Sequence, residues 1–286
     1  NEDGSFKALK DQKNSSSDIS PTDSQMPRLL GLAYASHFYK VNKDLHKAPF
    51  DTYSNKGNEV AFGTIGDAST SEGLFWETIN AAGVLQVPML ISVWDDGHGI
   101  SVPKKYQTTK ESISEVLKGF QRDNNGKGFE IFKTRGWDYA HLCETYEKAI
   151  KVCREEHVPV LVHVEEVTQP QGHSTSGSHE RYKSKERLQW ELDFDCIKQM
   201  REWIINNALA NDAELNKIEE DAKEAVKNAK TAAWTDYLTP IKNEVAEVSA
   251  LLEEIGGDDI QAIKKELQSI KEPIRKDIHV AVKNVL

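Results

Sequence analysis

Cysteine is scarce. Only Cys143, Cys153 and Cys196 occur in 286 residues, too few for a disulfide framework. The first two stand ten positions apart on what reads as one helix, ~15 Å along its axis and beyond bridging distance. None has a second Cys or a His at zinc-site spacing, so all three read as small buried hydrophobes, and a reducing, cytoplasmic setting is expected. Long apolar runs are missing too. Thr78 to Trp94 is uncharged over 17 residues but holds Asn80, Gln86 and Pro88, too short and too polar to span a bilayer. Basic excess is also lacking: 46 acidic residues against 36 basic ones leave a net charge of −10, which disfavours nucleic acid and anionic membranes as partners. No basic-then-apolar leader opens the chain, and residue 1 is Asn rather than Met; a processed chain or a piece of a longer one is expected. What is present, 38% hydrophobic and 29% charged residues, suffices for a substantial core.

Periodicity divides the chain. The first 18 residues are polar and read as a loop. Pro27 to Phe38 reads as a buried helix with Pro near its first turn. Val60 to Ile65 and Pro88 to Trp94 are apolar runs of buried-strand type, separated by helical spacing over 71 to 86. The alternation continues through a strand at Phe129 to Phe132, an amphipathic helix from Asp138 to Glu156, and a strand from Pro159 to Val167. Strands alternating with helices predict an α/β fold: a mostly parallel sheet with helices on both faces, and ligands beyond the carboxyl ends of the strands. The polar clusters at 66–71, 95–101 and 169–179 fall at those ends. Beyond Ser184 no further strand is predicted, and residues 212 to 286 hold only Gly256 and Gly257. Apolar stripes at 241–255 and 260–270 flank the Gly-Gly-Asp turn, which predicts a helical hairpin, either a docking element or an appendage packed on the sheet. The expected division is a domain over 1–205 and a helical C-terminal extension over 206–286.

Chemistry concentrates in residues 63 to 103. Gly66 allows a tight turn at the end of a strand, Asp67 projects a carboxylate from its tip, and Ser69 with Glu72 fits a capping box opening a helix. A helix N-terminus attracts phosphate, whereas a carboxylate beside it repels phosphate unless a cation intervenes. Asp96, 29 residues on, stands at the tip of the next predicted strand, so both carboxylates could reach one Mg²⁺-type ion. Taken singly, an Asp in such a place serves equally as a helix cap or a solvated turn.

The same block resembles the cofactor signature of thiamine-diphosphate enzymes, with Gly66-Asp67-Ala68 and Asp95-Asp96 in the places of Gly-Asp-Gly and Asn-Asn. Thr70-Ser71-Glu72-Gly73, Glu77, Asn80, Pro88 and Gly99-Ile100-Ser101-Val102-Pro103 look like one branch: the alpha subunit, or the alpha-like half of a fused alpha-beta chain, of the 2-oxo acid dehydrogenases. Ser20 to Pro27 resembles that family's upstream loop, and Gly172-His173-Ser174-Thr175-Ser176 its Gly-His-Ser loop. The resemblance implies thiamine diphosphate and Mg²⁺ as cofactors. It gives the metal to Asp67, Asp96 and the main-chain oxygen of His98, the diphosphate to the backbone of Ala68 and Ser69, and the aminopyrimidine to main-chain groups of Ser20 and Thr22. His173 is then a catalytic residue near the reacting centre; on its own it reads as a polar residue of a flexible loop. The implied reaction is decarboxylation of a 2-oxo acid and acyl transfer to lipoamide. The implied partners are a beta-type subunit or domain, a lipoyl-bearing acyltransferase and a dimeric or heterotetrameric assembly, the chain alone being inactive. The Gly99 to Pro103 and His173 to Ser176 segments favour the branched-chain, 2-oxoisovalerate type over the pyruvate or acetoin type. Departures are Ala68 for Gly, Asp23 for Gly, Gln169 for Arg, and the Asp pair, which is expected to place extra negative charge at the metal. The family's upstream His and Tyr-Arg elements have no counterpart. A transketolase-type enzyme and a non-catalytic assembly domain are the rivals; the Gly-His-Ser loop speaks against the former, while Ala68, Asp23 and the Asp pair lend support to the latter.

Overall fold

The structure is a computed structural model and describes residues 9–11, 22–124, 126–173 and 179–286. Ser20 and the Ser174-Thr175-Ser176 part of the Gly-His-Ser loop lie outside the described residues. The chain packs as two compact units, residues 1–207 and 208–286.

In the first unit, helix α1 (Gln25–Val41) precedes β1 (Ala61–Gly66), α2 (Gly73–Leu85) and β2 (Met89–Trp94). A small antiparallel pair follows, β3 (His98–Gly99) with β4 (Val102–Pro103), then α3 (Ile113–Val116), β5 (Glu130–Arg135), α4 (Tyr139–Glu156) and β6 (Val160–Glu165). The unit closes on α5 (Lys185–Asp193) and α6 (Cys196–Asn206). The four long strands form one parallel sheet in the order β1-β2-β6-β5.

Alternation along β2 sorts the two faces. Met89, Ile91 and Val93 enter the cluster of Met26, Leu29 and Ala33 of α1 with Phe75 and Ile79 of α2. Leu90 turns the other way, joining Ala149 and Cys153 of α4 with Val160 and Val162 of β6. Helices therefore cover both faces, and the central strands β2 and β6 are near-continuous apolar runs because neither face meets water. β1 is an outer strand: its Phe62, on the α4 side, remains about half exposed, as does Trp94 at the very end of β2. The register pairs Gly66 with Trp94, Trp94 with Val164 and Arg135 with Glu165, so the carboxyl ends of all four strands stop in one row.

Two local expectations fail. The helix drawn over 71–86 starts at Gly73, and the Ser69–Glu72 capping box does not form. Ser69 lies inside a 3-10 turn, Ala68–Ser71, and Glu72 becomes the cap residue without a side-chain cap bond. Thr70 drives this: its hydroxyl donates to Asp67 O at 2.6 Å and winds the chain tightly after the strand.

The second unit is helical. α7 (Asp212–Ile255) opens on a capping box between Asn211 and Glu214, and α8 (Asp258–Ser269) follows Gly256 and Gly257, both at positive φ. A third helix, α9 (Arg275–Val285), extends the expected hairpin to a three-helix cluster around Ile241, Leu267, Ile278 and Ala281. No helix among the described residues is long and apolar enough to cross a membrane.

Candidate cofactor site

A cavity of about 760 Å³ opens at the carboxyl ends of β1 and β2. Thr22, Asp67, Ala68, Ser69, Asp96, His98 and His173 all line it. Residues scattered over 150 positions of sequence thus share one wall, because the parallel register stops both strands at the same level.

Asp67 extends β1 by one ladder bond, its N–H donating to Trp94 O at 3.1 Å. Its side chain is buried, and Oδ2 has no hydrogen-bond partner among the described residues. Burial, and then the charges of Asp95 and Asp96, push its carboxyl up to about 7. Two further carboxylates close by make a pile-up of negative charge that a cation would relieve.

Asp96 begins the turn between β2 and the β3–β4 pair. Its Oδ1 accepts the N–H of His98 at 3.0 Å, and Gly97 takes φ +81, a conformation that favours glycine. Burial raises the Asp96 carboxyl above the usual range. Burial also lowers His98, with the charges of Lys183 and Arg187 acting in the same direction.

Asp95 behaves differently from expectation. Its carboxylate points away from the cavity wall: Oδ1 accepts the N–H of Gly97 at 2.8 Å, while Oδ2 receives Lys104 Nζ at 2.8 Å and lies 3.0 Å from His163 Nε2. Burial works to raise this carboxyl, but the bonds from His163 and Lys104 hold it down at about 2. The first Asp of the pair is thus held by Lys104 and the buried His163, and Asp96 alone of the pair lines the cavity, while the charge of Asp95 still acts on the Asp67 carboxyl as the expected extra negative charge.

Ala68 is likewise accommodated. A Cβ on Gly99 would stand 2.8 Å from Ala68 Cβ, closer than two methyl carbons pack. The methyl that Ala68 adds is offset by the methyl that Gly99 lacks. Asp23 adopts φ +70, which accounts for glycine at that place in the resembling loop. It is fully buried, neither oxygen has a hydrogen-bond partner among the described residues, and burial pushes its carboxyl up to about 6.

A second brace comes from beyond the Gly-His-Ser loop. Arg187 Nη2 donates to Asp96 O at 2.7 Å, and its Nε is fixed at 2.8 Å by Glu191. Glu191 in turn pairs with Lys183 at 2.7 Å, both side chains at 2% exposure or less. Sequence reasoning missed Lys183, just ahead of α5, and Arg187 and Glu191 on α5, all of which look like ordinary surface charges. It also passed over His163, whose signal was legible: one polar residue inside Val160-Leu161-Val162-His163-Val164.

The residues present fit Mg²⁺. Oxygen donors on two strand tips suit a hard cation, and the orphaned Asp67 Oδ2 is the atom such a cation would satisfy. Among the described residues no group of three or more His, Cys, Asp or Glu side chains could hold a metal; a set of two carboxylates and one main-chain oxygen contains no such group.

A four-stranded parallel sheet with helices on both faces and an acidic cleft at its strand ends defines an α/β protein with its candidate site at the carboxyl ends of β1 and β2. The family model described as Dehydrogenase E1 component matches residues 5–241, and this chain belongs to that family. The family comprises the alpha-type components of thiamine-diphosphate-dependent 2-oxo acid dehydrogenases. Similar proteins include the pyruvate dehydrogenase E1 component subunit alpha of Rickettsia bellii, 24% identical over 72% of this chain and 55% of the relative. Two others are mitochondrial 2-oxoisovalerate dehydrogenase alpha subunits. That of Arabidopsis thaliana (subunit alpha 1) is 26% identical over 80% of this chain and 44% of the relative. That of Dictyostelium discoideum is 26% identical over 79% and 46%. The chain thus spans about half the length of the curated relatives it matches.

Proposed function

We propose that this chain is the alpha-type part of a 2-oxo acid dehydrogenase that decarboxylates a branched-chain 2-oxo acid and passes the acyl group to lipoamide. The observation that carries the reading is the pair Asp67 and Asp96 on adjacent strand tips, one with a buried oxygen lacking a hydrogen-bond partner among the described residues, facing one cavity. Thiamine diphosphate, when bound, supplies the carbanion chemistry of decarboxylation. The protein's part is binding and orientation. Asp67, Asp96 and the His98 carbonyl would hold Mg²⁺, and the backbone of Ala68 and Ser69 would face the diphosphate. Thr22, with Ser20, would meet the aminopyrimidine. His173, exposed on the cavity wall, would stand at the reacting end.

A beta-type subunit or domain completes the site in this reading, with a lipoyl-bearing acyltransferase as acceptor and a dimer or heterotetramer as the assembly. The chain by itself then binds metal and diphosphate without turnover. Support for the branched-chain substrate is the likeness of the Gly99 to Pro103 and His173 to Ser176 segments. Relatives named for pyruvate and for 2-oxoisovalerate match at 24% and 26% identity, so identity alone favours neither.

Calorimetric titration with thiamine diphosphate and Mg²⁺, with and without a beta-type partner, tests the cofactor reading. Heat of binding is expected in the presence of the partner, and its absence there sinks the enzyme. Decarboxylation assays of that assembly with 2-oxoisovalerate, pyruvate and 2-oxoglutarate test the substrate, and a marked preference for pyruvate refutes the branched-chain choice. Against the rival assembly role, the absence of a Cβ on Gly99 leaves room for Ala68, and Asp95 is bonded to Lys104 and His163.

A further inference from the structure

The buried His163 and the partly exposed Lys104 stand behind the proposed metal turn, outside the lining of the cavity. His163 is fully buried on β6, between Ser114 Oγ, 2.9 Å from its Nδ1, and Asp95 Oδ2, 3.0 Å from its Nε2. Lys104 follows β4 and acts twice: its backbone N–H donates to Gly97 O at 2.9 Å and its Nζ to Asp95 Oδ2 at 2.8 Å. Asp95 is tied on its main chain as well, its N–H to Val164 O at 2.9 Å and its carbonyl accepting from Val167 N–H at 3.0 Å. The start of the 95–104 loop is thereby fastened to β6 and to Val167 just past it, and its end is fastened back onto Gly97 and Asp95. A side-chain link from this frame into the turn itself runs from Asp95 Oδ1, which accepts the N–H of Gly97 at 2.8 Å. Gly97 lies between Asp96 and His98, the two residues read above as supplying metal oxygens.

We propose that Lys104 and His163 are positioning residues for the metal turn: by clamping Asp95 they set where the Asp96 carboxylate and the His98 carbonyl stand. The inference rests on the metal reading of Asp67, Asp96 and His98. Outer partners of metal-bearing residues act this way in general, fixing ligands that are not themselves rigid. The reading is distinguishable from simple electrostatics. Lys104 carries a positive charge whose influence reaches Asp67. By Coulomb's law alone, deleting it favours a cation at the site. If Lys104 positions the turn, deleting it has the opposite effect.

Mn²⁺ titration followed by electron paramagnetic resonance, on the full chain with and without thiamine diphosphate, separates these signs. Lys104→Met is expected to bind Mn²⁺ about tenfold more weakly than the unsubstituted chain, the low end of what loss of an outer partner costs. Lys104→Arg, which keeps a charged donor, is expected to stay within about threefold. His163→Gln is the second variant should Lys104→Met fail to fold, and it too is expected to weaken Mn²⁺ severalfold. Equal or tighter Mn²⁺ binding by folded Lys104→Met, or unaltered binding by His163→Gln, overturns the positioning role while leaving the metal site standing. No Mn²⁺ binding by the unsubstituted chain under either condition sinks the metal reading and this one with it.

Discussion

Gly99 and Ala68 make a reciprocal pair whose energetics follow from three distances. A Cβ placed on Gly99 would lie 2.5 Å from Gln107 Nε2, 2.7 Å from its Oε1 and 2.8 Å from Ala68 Cβ. Gln107 is a flexible side chain and can swing aside, at the loss of its bond to Val102 O at 2.6 Å. The Ala68 methyl has no such freedom, because it is fixed to the 3-10 turn of Ala68–Ser71. Gly99→Ala is therefore expected to cost about 2 kcal/mol, within the usual range for overpacking. Ala68→Gly, which removes the opposing methyl and loosens the turn's backbone, is expected to cost about 0.5–1 kcal/mol. The double variant then costs little more than Ala68→Gly, leaving a coupling of about 1 kcal/mol or more where independent sites add to within ~0.5 kcal/mol. Urea denaturation of the four proteins, comparing midpoints at unchanged slope, measures this. A double variant destabilised by the sum of the two singles refutes the compensation, and with it the account of why Ala is tolerated beside Asp67.

Other consequences follow from buried charge. Glu191→Ala leaves Lys183 buried without its partner and frees Arg187 from its fixed position, so a loss of about 3–5 kcal/mol is expected in denaturant titration, and Lys183→Met with Glu191→Leu together should lose much less. Asp23, whose carboxyl is raised to about 6 in the folded chain, binds a proton more readily folded than unfolded. Stability should therefore fall as pH rises from about 4 to 6, on the order of 2 kcal/mol, and Asp23→Asn should flatten that slope; an unchanged slope would count against the buried, unpartnered carboxylate. Mg²⁺ with thiamine diphosphate should raise the melting temperature of the chain, by an increment that grows with ligand concentration. Asp67→Asn, which keeps the shape and removes the charge, should abolish that rise, and a full rise in the variant would remove Asp67 from the metal site.

Sequence by itself determined the elements and their order. The runs 88–94 and 159–167 are apolar without alternation because their strands are buried on both faces, and this is why β2 and β6 were legible within a residue or two; β1, the outer strand, was legible from its apolar run 60–65 although one face stays partly exposed. The stripes that mark α1 and α4 are local in the same sense, set by which face meets the sheet. The cofactor block was legible through motif spacing, and every described candidate, from Thr22 to His173, lines one cavity. Only the tertiary structure decided what the charges do. Asp95 and Asp96 are neighbours in sequence with the same side chain, yet one faces the cavity and the other is held by Lys104 and His163, 9 and 68 residues away. The same holds for Ala68 and Gly99, whose exchange of a methyl is a matter of 2.8 Å across a turn. Periodicity reports burial, which a residue's own neighbours encode. A carboxylate's role is set by which distant groups the parallel register brings within hydrogen-bonding reach, and no pattern along the chain carries that distance.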